Sequence, residues 1–201
     1  MVVAEVAKAF TEQETDIILQ NLKASARRYA ASQGVRKTTV DELAQETGIS
    51  KGAFYKFYSS KELLFFEILE DMHTEIYEAS AGVLKQNDTQ SSADRAAKAV
   101  LTACKVMMDS GMLDFMERDV PFLLRKIPAD VLEQHYHGDE VHIKELLVNA
   151  GLEPAVGMEL AVATVRGLFL TVSHRENIGP LYPQVLDTLV RGACLRLFPE
   201  N

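Results

Sequence analysis

Cysteine is nearly absent from this 201-residue chain: only Cys104 and Cys194 occur. Two such distant thiols cannot build a disulfide framework, and their spacing matches no zinc site. Two reduced, buried thiols of a cytosolic protein are the expectation. The opening MVVAEVAKAF has no basic n-region, and Glu5 interrupts its apolar run, so it does not read as a signal peptide. No stretch approaches the ~18 uncharged apolar residues that cross a bilayer, so no membrane partner is expected. Strand alternation, an internal repeat and a sustained heptad are also missing. So are a nucleophile elbow, a phosphate-loop glycine run and paired catalytic carboxylates. Neither an enzyme nor a cofactor-binding protein is expected.

What is present is a chain 47% apolar, enough for a sizeable core. Its net charge of −8 argues against nucleic acid until the distribution is considered. Residues 21–62 hold eight Lys and Arg against four Asp and Glu, a net +4, which leaves −12 for the remainder. A basic segment on an acidic body suits an anion-binding head whose body is repelled by the same polyanion.

The pattern is helical almost throughout, and an all-α protein is predicted. Ile18, Leu22, Ala26, Tyr29 and Ala30 share one helical face, with Gly34 as a stop beyond them. Thr39 and Glu42 form the signature of a capping box opening a second helix, which Gly48 ends. Ser50 caps a third helix running to about Tyr58. Either Ser59 or Ser60 caps a long fourth helix that reaches about Leu84. Polar KQNDTQSSADR then precedes helical segments near 92–109, 112–118, 120–126, 129–150, 154–175 and 182–198. A head of residues 1–59 and a body of residues 60–201 are expected.

The stretch TTVDELAQETGISKGAFYKFYSSKELL, Thr38 to Leu64, carries the chemistry. A helix-turn-helix needs a small residue where its helices cross, supplied by Ala44, and a turn residue tolerating positive φ, supplied by Gly48. Leu43, Ile49, Phe54 and Phe57 or Tyr58 have the spacing to clamp the pair. Lys51, Gly52, Ala53, Tyr55 and Lys56 are then left facing outward near the start of the third helix. Free N–H groups there attract phosphate, and Lys51, Lys56 and Lys61 add charge. Gly52 and Ala53 permit close approach to base edges, and the Tyr55 hydroxyl can donate to phosphate. A surface helix with ordinary lysines is the blander alternative.

These residues resemble the tetracycline-repressor (TetR) family of bacterial transcriptional regulators, over Thr38–Leu64 and more loosely back to Ile17. The resemblance implies a homodimer with a three-helix DNA-binding head, and a helical body holding a ligand pocket and a dimer interface. It places Thr38 and Thr39 against phosphate, makes Ser50 through Lys56 the recognition helix and sets Lys61 against the DNA backbone. Family members often have a polar ring or histidine followed by Phe where this chain has Phe57 and Tyr58. That departure moves the expected phosphate contact from Phe57 towards the Tyr58 hydroxyl.

In such proteins the last two helices form the dimer interface, here Pro154–Arg175 and Tyr182–Phe198. Val162, Val165, Phe169, Val172, Val185, Leu189 and Ala193 are the expected contacts, although stripes at this spacing also suit an internal core. VMMDSGMLDFM clusters Met107, Met108, Met112, Phe115 and Met116, with Phe122 shortly after. These either fill the core or line a pocket for a small apolar or amphipathic effector. His135, Asp139 and His142 fall on one helical face near Glu133 and His137. Metal binding or pH sensing there is set against an ordinary solvated face, and no metal is expected. The combined expectation is a cytoplasmic repressor that binds a palindromic operator as a homodimer and is released by an effector. The alternative is an adaptor for a protein partner that uses double-stranded DNA only as a tether.

Overall fold

The computed structural model describes residues 10–86 and 90–199, and only the backbone at Asp139. The reading of the first nine residues and of the centre of KQNDTQSSADR lies outside the described residues. Regular structure among the described residues is helical throughout, as predicted.

α1 (Glu12–Ser32) opens on a capping box between Thr11 and Glu14 and buries Ile18, Leu22, Ala26 and Ala30. α2 (Val40–Glu46) opens on a second such box, in which Thr39 and Glu42 satisfy each other's backbone N–H groups. α3 (Lys51–Phe57) is capped by Ser50, whose hydroxyl accepts from the Ala53 amide. Between α2 and α3 the chain reverses at Gly48, φ +71°, a conformation that disfavours any side chain. The turn closes with the Ile49 amide donating to the Ala44 carbonyl at 2.9 Å. Leu43 and Phe54 are fully buried across this turn. Each contributes about 1.5–3 kcal/mol by leaving water.

α4 (Lys61–Leu84) begins after Ser60, whose hydroxyl accepts from the Leu63 amide at 3.2 Å, so Ser60 rather than Ser59 is its cap. Packing divides the chain into Met1–Ile68 and Leu69–Asn201. The division therefore falls inside α4, beyond the boundary expected at 59/60. The first turns of α4 belong to the head because Leu64 and Phe65 are buried there, while Tyr58 donates to Glu67 at 2.5 Å.

In the second unit α5 (Ser92–Asp109), capped by Ser91, turns an alanine-rich face inward and packs chiefly against α10 (Tyr182–Leu197). Small side chains let the two axes approach closely. Cys104 of α5 and Cys194 of α10 are buried in this layer. Burial pushes their thiols up to about 12 and about 11, so both stay protonated and serve as small apolar groups. α7 (Ala129–Asn149) and α8 (Met158–Leu170) complete the core, with Ile143, Leu147, Val162 and Val165 turned into it.

Three segments differ from expectation. The stretches near 112–118 and 120–126 are instead a π-helical turn (Phe115–Asp119) running into the short α6 (Val120–Leu123). α8 starts at Met158, after Gly157 at φ +90°, while the Ala155 amide donates to the Leu197 carbonyl instead of entering a helix. Beyond Leu170 the chain tightens into a 3₁₀ turn (Val172–His174) and the short α9 (Arg175–Ile178). Among the described residues no helix is long and apolar enough to cross a membrane.

Candidate nucleic-acid interface and effector cavity

Within the head, the exposed face of α3 carries Lys51, Gly52, Tyr55 and Lys56, with Ser50 at its cap. A Cβ at Gly52 would meet nothing nearer than the Ser50 hydroxyl at 3.9 Å, so this face is open to close approach. Lys51 lies 2.8 Å from the Asp41 carboxylate, and that hydrogen bond raises its pKa and keeps it charged. Both partners are exposed, and pairs of that kind are weak enough for a phosphate to displace the carboxylate. Glu42 has its pKa lowered, first by the Thr39 amide and then by the Thr39 hydroxyl, both donating to its carboxylate. A shallow depression of about 440 Å³ joins Lys51 and Tyr55 to Arg36, Thr39 and Ser60, at the starts of α2 and α4.

Several residues expected on this face are turned inward. Ala53 is buried and cannot offer its methyl group to a base. Thr38 is fully buried, and its hydroxyl donates to the Gly34 carbonyl at 2.8 Å, which shapes the loop before α2. Tyr58 is buried with its hydroxyl on Glu67, so it is not the phosphate donor expected. Lys61 directs its ammonium onto the carbonyls of Val35, at 2.8 Å, and of Thr38. It closes the head from within. Phe57 is half-buried, its ring tilted at 37° to that of Phe10 with centroids 5.6 Å apart, and Lys56 lies over the same Phe10 ring.

Part of the head's positive charge is therefore structural. Lys23 pairs with Glu67, Arg28 with Glu46 and Lys61 with backbone carbonyls. Arg36 and Phe10 are the additions that sequence reasoning missed. Arg36 is visible as a cation just before Thr38, whereas the place of Phe10 depends on how the chain enters α1.

The second unit contains a cavity of about 370 Å³. Met107, Leu113, Met116, Ile143 and Phe169 give it apolar walls, and His73, Tyr77, Tyr136, Arg166 and Ser173 supply polar atoms. Of the expected pocket residues only Met107 and Met116 line it. Met112 and Phe115 are fully buried, Met108 packs against the core, and Phe122 lies beneath the Lys126 ammonium. Phe115 and Met116 are adjacent on the π turn and take different sides, Phe115 the core and Met116 the cavity wall.

The expected dimer contacts divide similarly. Val162, Val165 and Val172 are buried in their own subunit, Phe169 lines the cavity, and Val185 and Ala193 are half-buried. Only Leu189 is an exposed member of that set. A different stripe faces outward: Leu160, Ala163, Gly167 and Leu170 on α8, then Leu181, Leu189, Gly192 and Leu195 by α10. Its five leucines are between 44% and 67% exposed. Nothing lies within 4 Å of where a Cβ would stand on Gly167 or Gly192. This exposed stripe lies on the helices expected at the interface, and on α8 its face is opposite the expected residues.

Of His135, Asp139 and His142, only the two histidines have described side chains. His142 packs on the Tyr77 ring at 4.9 Å. His135 meets α4 instead, at Glu70 and His73.

A helix-turn-helix head on an all-α body defines the class of the protein. Residues 22–68 match the model of the bacterial regulatory proteins, tetR family. That match spans the helix-turn-helix head, less than half of the chain. It is 29% identical over 124 residues to the uncharacterized HTH-type transcriptional regulator YdgC of Bacillus subtilis, covering 59% of this chain and 63% of that one. Two further B. subtilis HTH-type regulators are matched over 26% and 17% of their lengths, so the chain spans only part of these relatives. The nucleoid occlusion factor SlmA of Shewanella pealeana is 25% identical over 76% of this chain and 77% of its own. Among solved structures, a TetR transcriptional regulator from Rhodococcus sp. RHA1 superposes with a TM-score of 0.66 at 18% identity, covering 93% and 98% of the two chains. RolR in complex with resorcinol does so at 0.59 and 20%, covering 94% and 99%. These structures share the fold.

The inward position of Lys61 has a measurable consequence. Lys61→Met should destabilise the protein by about 1.5–3 kcal/mol, the value of charge-assisted hydrogen bonds, as read by urea unfolding. A variant as stable as the parent would return Lys61 to the outer surface.

Proposed function

We propose that this chain is a cytoplasmic transcriptional regulator, a repressor that binds a palindromic operator as a homodimer and is released by a small effector. The observation that carries this reading is the face of α3 on which Lys51, Gly52, Tyr55 and Lys56 are exposed. A capped helix start adds backbone N–H groups to that charge, and an α-helix fits the major groove of B-DNA. Lys51, Thr39 and Arg36 supply phosphate contacts that set register, while Gly52, Tyr55 and Lys56 meet base edges.

The outward leucine–glycine stripe of α8 and α10 supports self-association. Exposed apolar rows are unfavourable in a monomer, and a second copy would cover them with the same rows. Two heads would then read two half-sites about one helical turn apart. The 370 Å³ cavity suits an apolar or amphipathic effector, its walls apolar and its polar groups few. RolR, of the same fold, is seen with resorcinol, a small aromatic diol. Effector in the cavity would bias α4, which supplies His73, Ile76 and Tyr77 to its wall and continues from the head. By linkage, operator must weaken effector binding by the factor by which effector weakens operator binding.

A second reading is an adaptor that holds a protein partner and uses DNA only as a tether. Salt and sequence dependence separate the two. A repressor should prefer one palindrome selected from random duplexes and lose affinity steeply with salt. Lys51→Ala should weaken all duplexes alike and flatten the log-affinity against log-salt slope by about one for each phosphate left unneutralised. Tyr55→Ala and Lys56→Ala should alter sequence preference. If none of these three changes affects DNA binding, α3 is not the reading surface.

For the dimer, Leu189→Glu with Leu195→Glu should leave a folded monomer by light scattering and circular dichroism; an unchanged mass would rule out this face. For the effector, apolar and amphipathic compounds that raise the melting temperature should release operator DNA, and Met116→Trp should blunt both effects. A broad screen that moves neither would remove the cavity from the mechanism.

A further inference from the structure

α4 carries Glu70 and His73 three residues apart, on one helical face, and α7 brings His135 to them. One donor atom from each of the three lies within 4.8 Å of the other two. His135 is buried, its Nδ1 is hydrogen-bonded to the Glu70 carboxylate, and the His73 ring stacks on it at 5.0 Å with 20° between planes. Among the described residues this is the one place where three such donors converge.

We propose that Glu70, His73 and His135 bind a single divalent transition-metal ion of the zinc, nickel or cobalt kind. Two imidazoles and one carboxylate are a donor set these ions take, with positions left for water or another ligand. Magnesium and calcium demand more oxygen atoms than the set provides. Bonds of about 2.0–2.2 Å at tetrahedral angles set donor pairs about 3.3–3.6 Å apart. The widest pair therefore closes by at most about 1.4 Å and the hydrogen-bonded Glu70–His135 pair opens, both within reach of side-chain rotation. His135 is held by its burial, whereas the Glu70 side chain is 44% exposed and has room to swing.

The ion would tie α4 to α7 beside the cavity, because His73 also lines the cavity wall. Its remaining positions would take water or a donor atom of the cavity's occupant. Binding of the ion does not depend on the DNA-reading proposal, and its test uses no DNA.

Untagged full chain, stripped of metal by chelator and dialysed, is titrated with Co²⁺ and then Zn²⁺. A single equivalent of Co²⁺ should bind per chain, with visible absorption bands that Zn²⁺ abolishes, and Zn²⁺ should raise the melting temperature. Glu70→Gln and His73→Gln should each weaken binding by at least about 10- to 100-fold, the loss already typical of outer-shell partners. Circular dichroism shows whether these variants keep their helices, and the pair keeps the test open should a change at buried His135 unfold the chain. His137→Gln and His174→Gln, at exposed positions, should bind as the parent does. No saturable Co²⁺ binding would overturn the proposal, leaving a hydrogen-bonded His–Glu pair. So would binding unchanged in both Glu70→Gln and His73→Gln.

Discussion

The head depends on one half-buried cation whose ammonium is turned onto its own backbone. The Lys61 ammonium bridges the Val35 and Thr38 carbonyls, which lie on the loop between α1 and α2. Buried carbonyls on an irregular segment need donors, and a lysine from the next helix supplies them. Thr38 then folds back on Gly34, Thr39 is free to cap α2, and α2 fixes Gly48 and so the start of α3. The outward set of α3 is the far end of that chain of contacts. A lysine in a basic cluster thus contributes through geometry while its neighbours contribute through charge.

The body follows a different rule. α8 has apolar residues on two faces: Val162, Val165 and Leu168 enter the core, and Leu160, Gly167 and Leu170 do not. A helix with two apolar faces exposes one of them when the rest of its chain covers only the other. α10 repeats the pattern with Leu186, Val190 and Cys194 inward and Leu181, Leu189 and Leu195 outward. The glycines on the open faces remove the side chains that would hold another helix away.

Local signals in the sequence are reliable here, and side-chain direction within short or doubly apolar elements is not. Thr39, Ser50 and Gly48 act through their own backbone and immediate neighbours, so the caps and turn of the head are legible. Ala53 departs from its expected outward place because a seven-residue helix has barely two turns, too few for periodicity to fix its inward face. Val162 and Val165 depart from theirs because two apolar stripes on α8 compete on equal terms. Met112, Phe115 and Met116 are neighbours in sequence, and no residue pattern announces the π turn that separates them. His73, Tyr77 and Arg166 come to the cavity from three-dimensional packing alone.

That π turn has an evolutionary corollary. A wide turn holds one residue more than an α-helical path of the same rise, so a single-codon insertion or deletion between Phe115 and Asp119 would re-index the wall. Met116 would rotate off the cavity and a neighbour would take its place, with α5 and α7 left in register. The lining of the cavity can thus change by shifting the reading of one helical loop, without rebuilding the chamber around it.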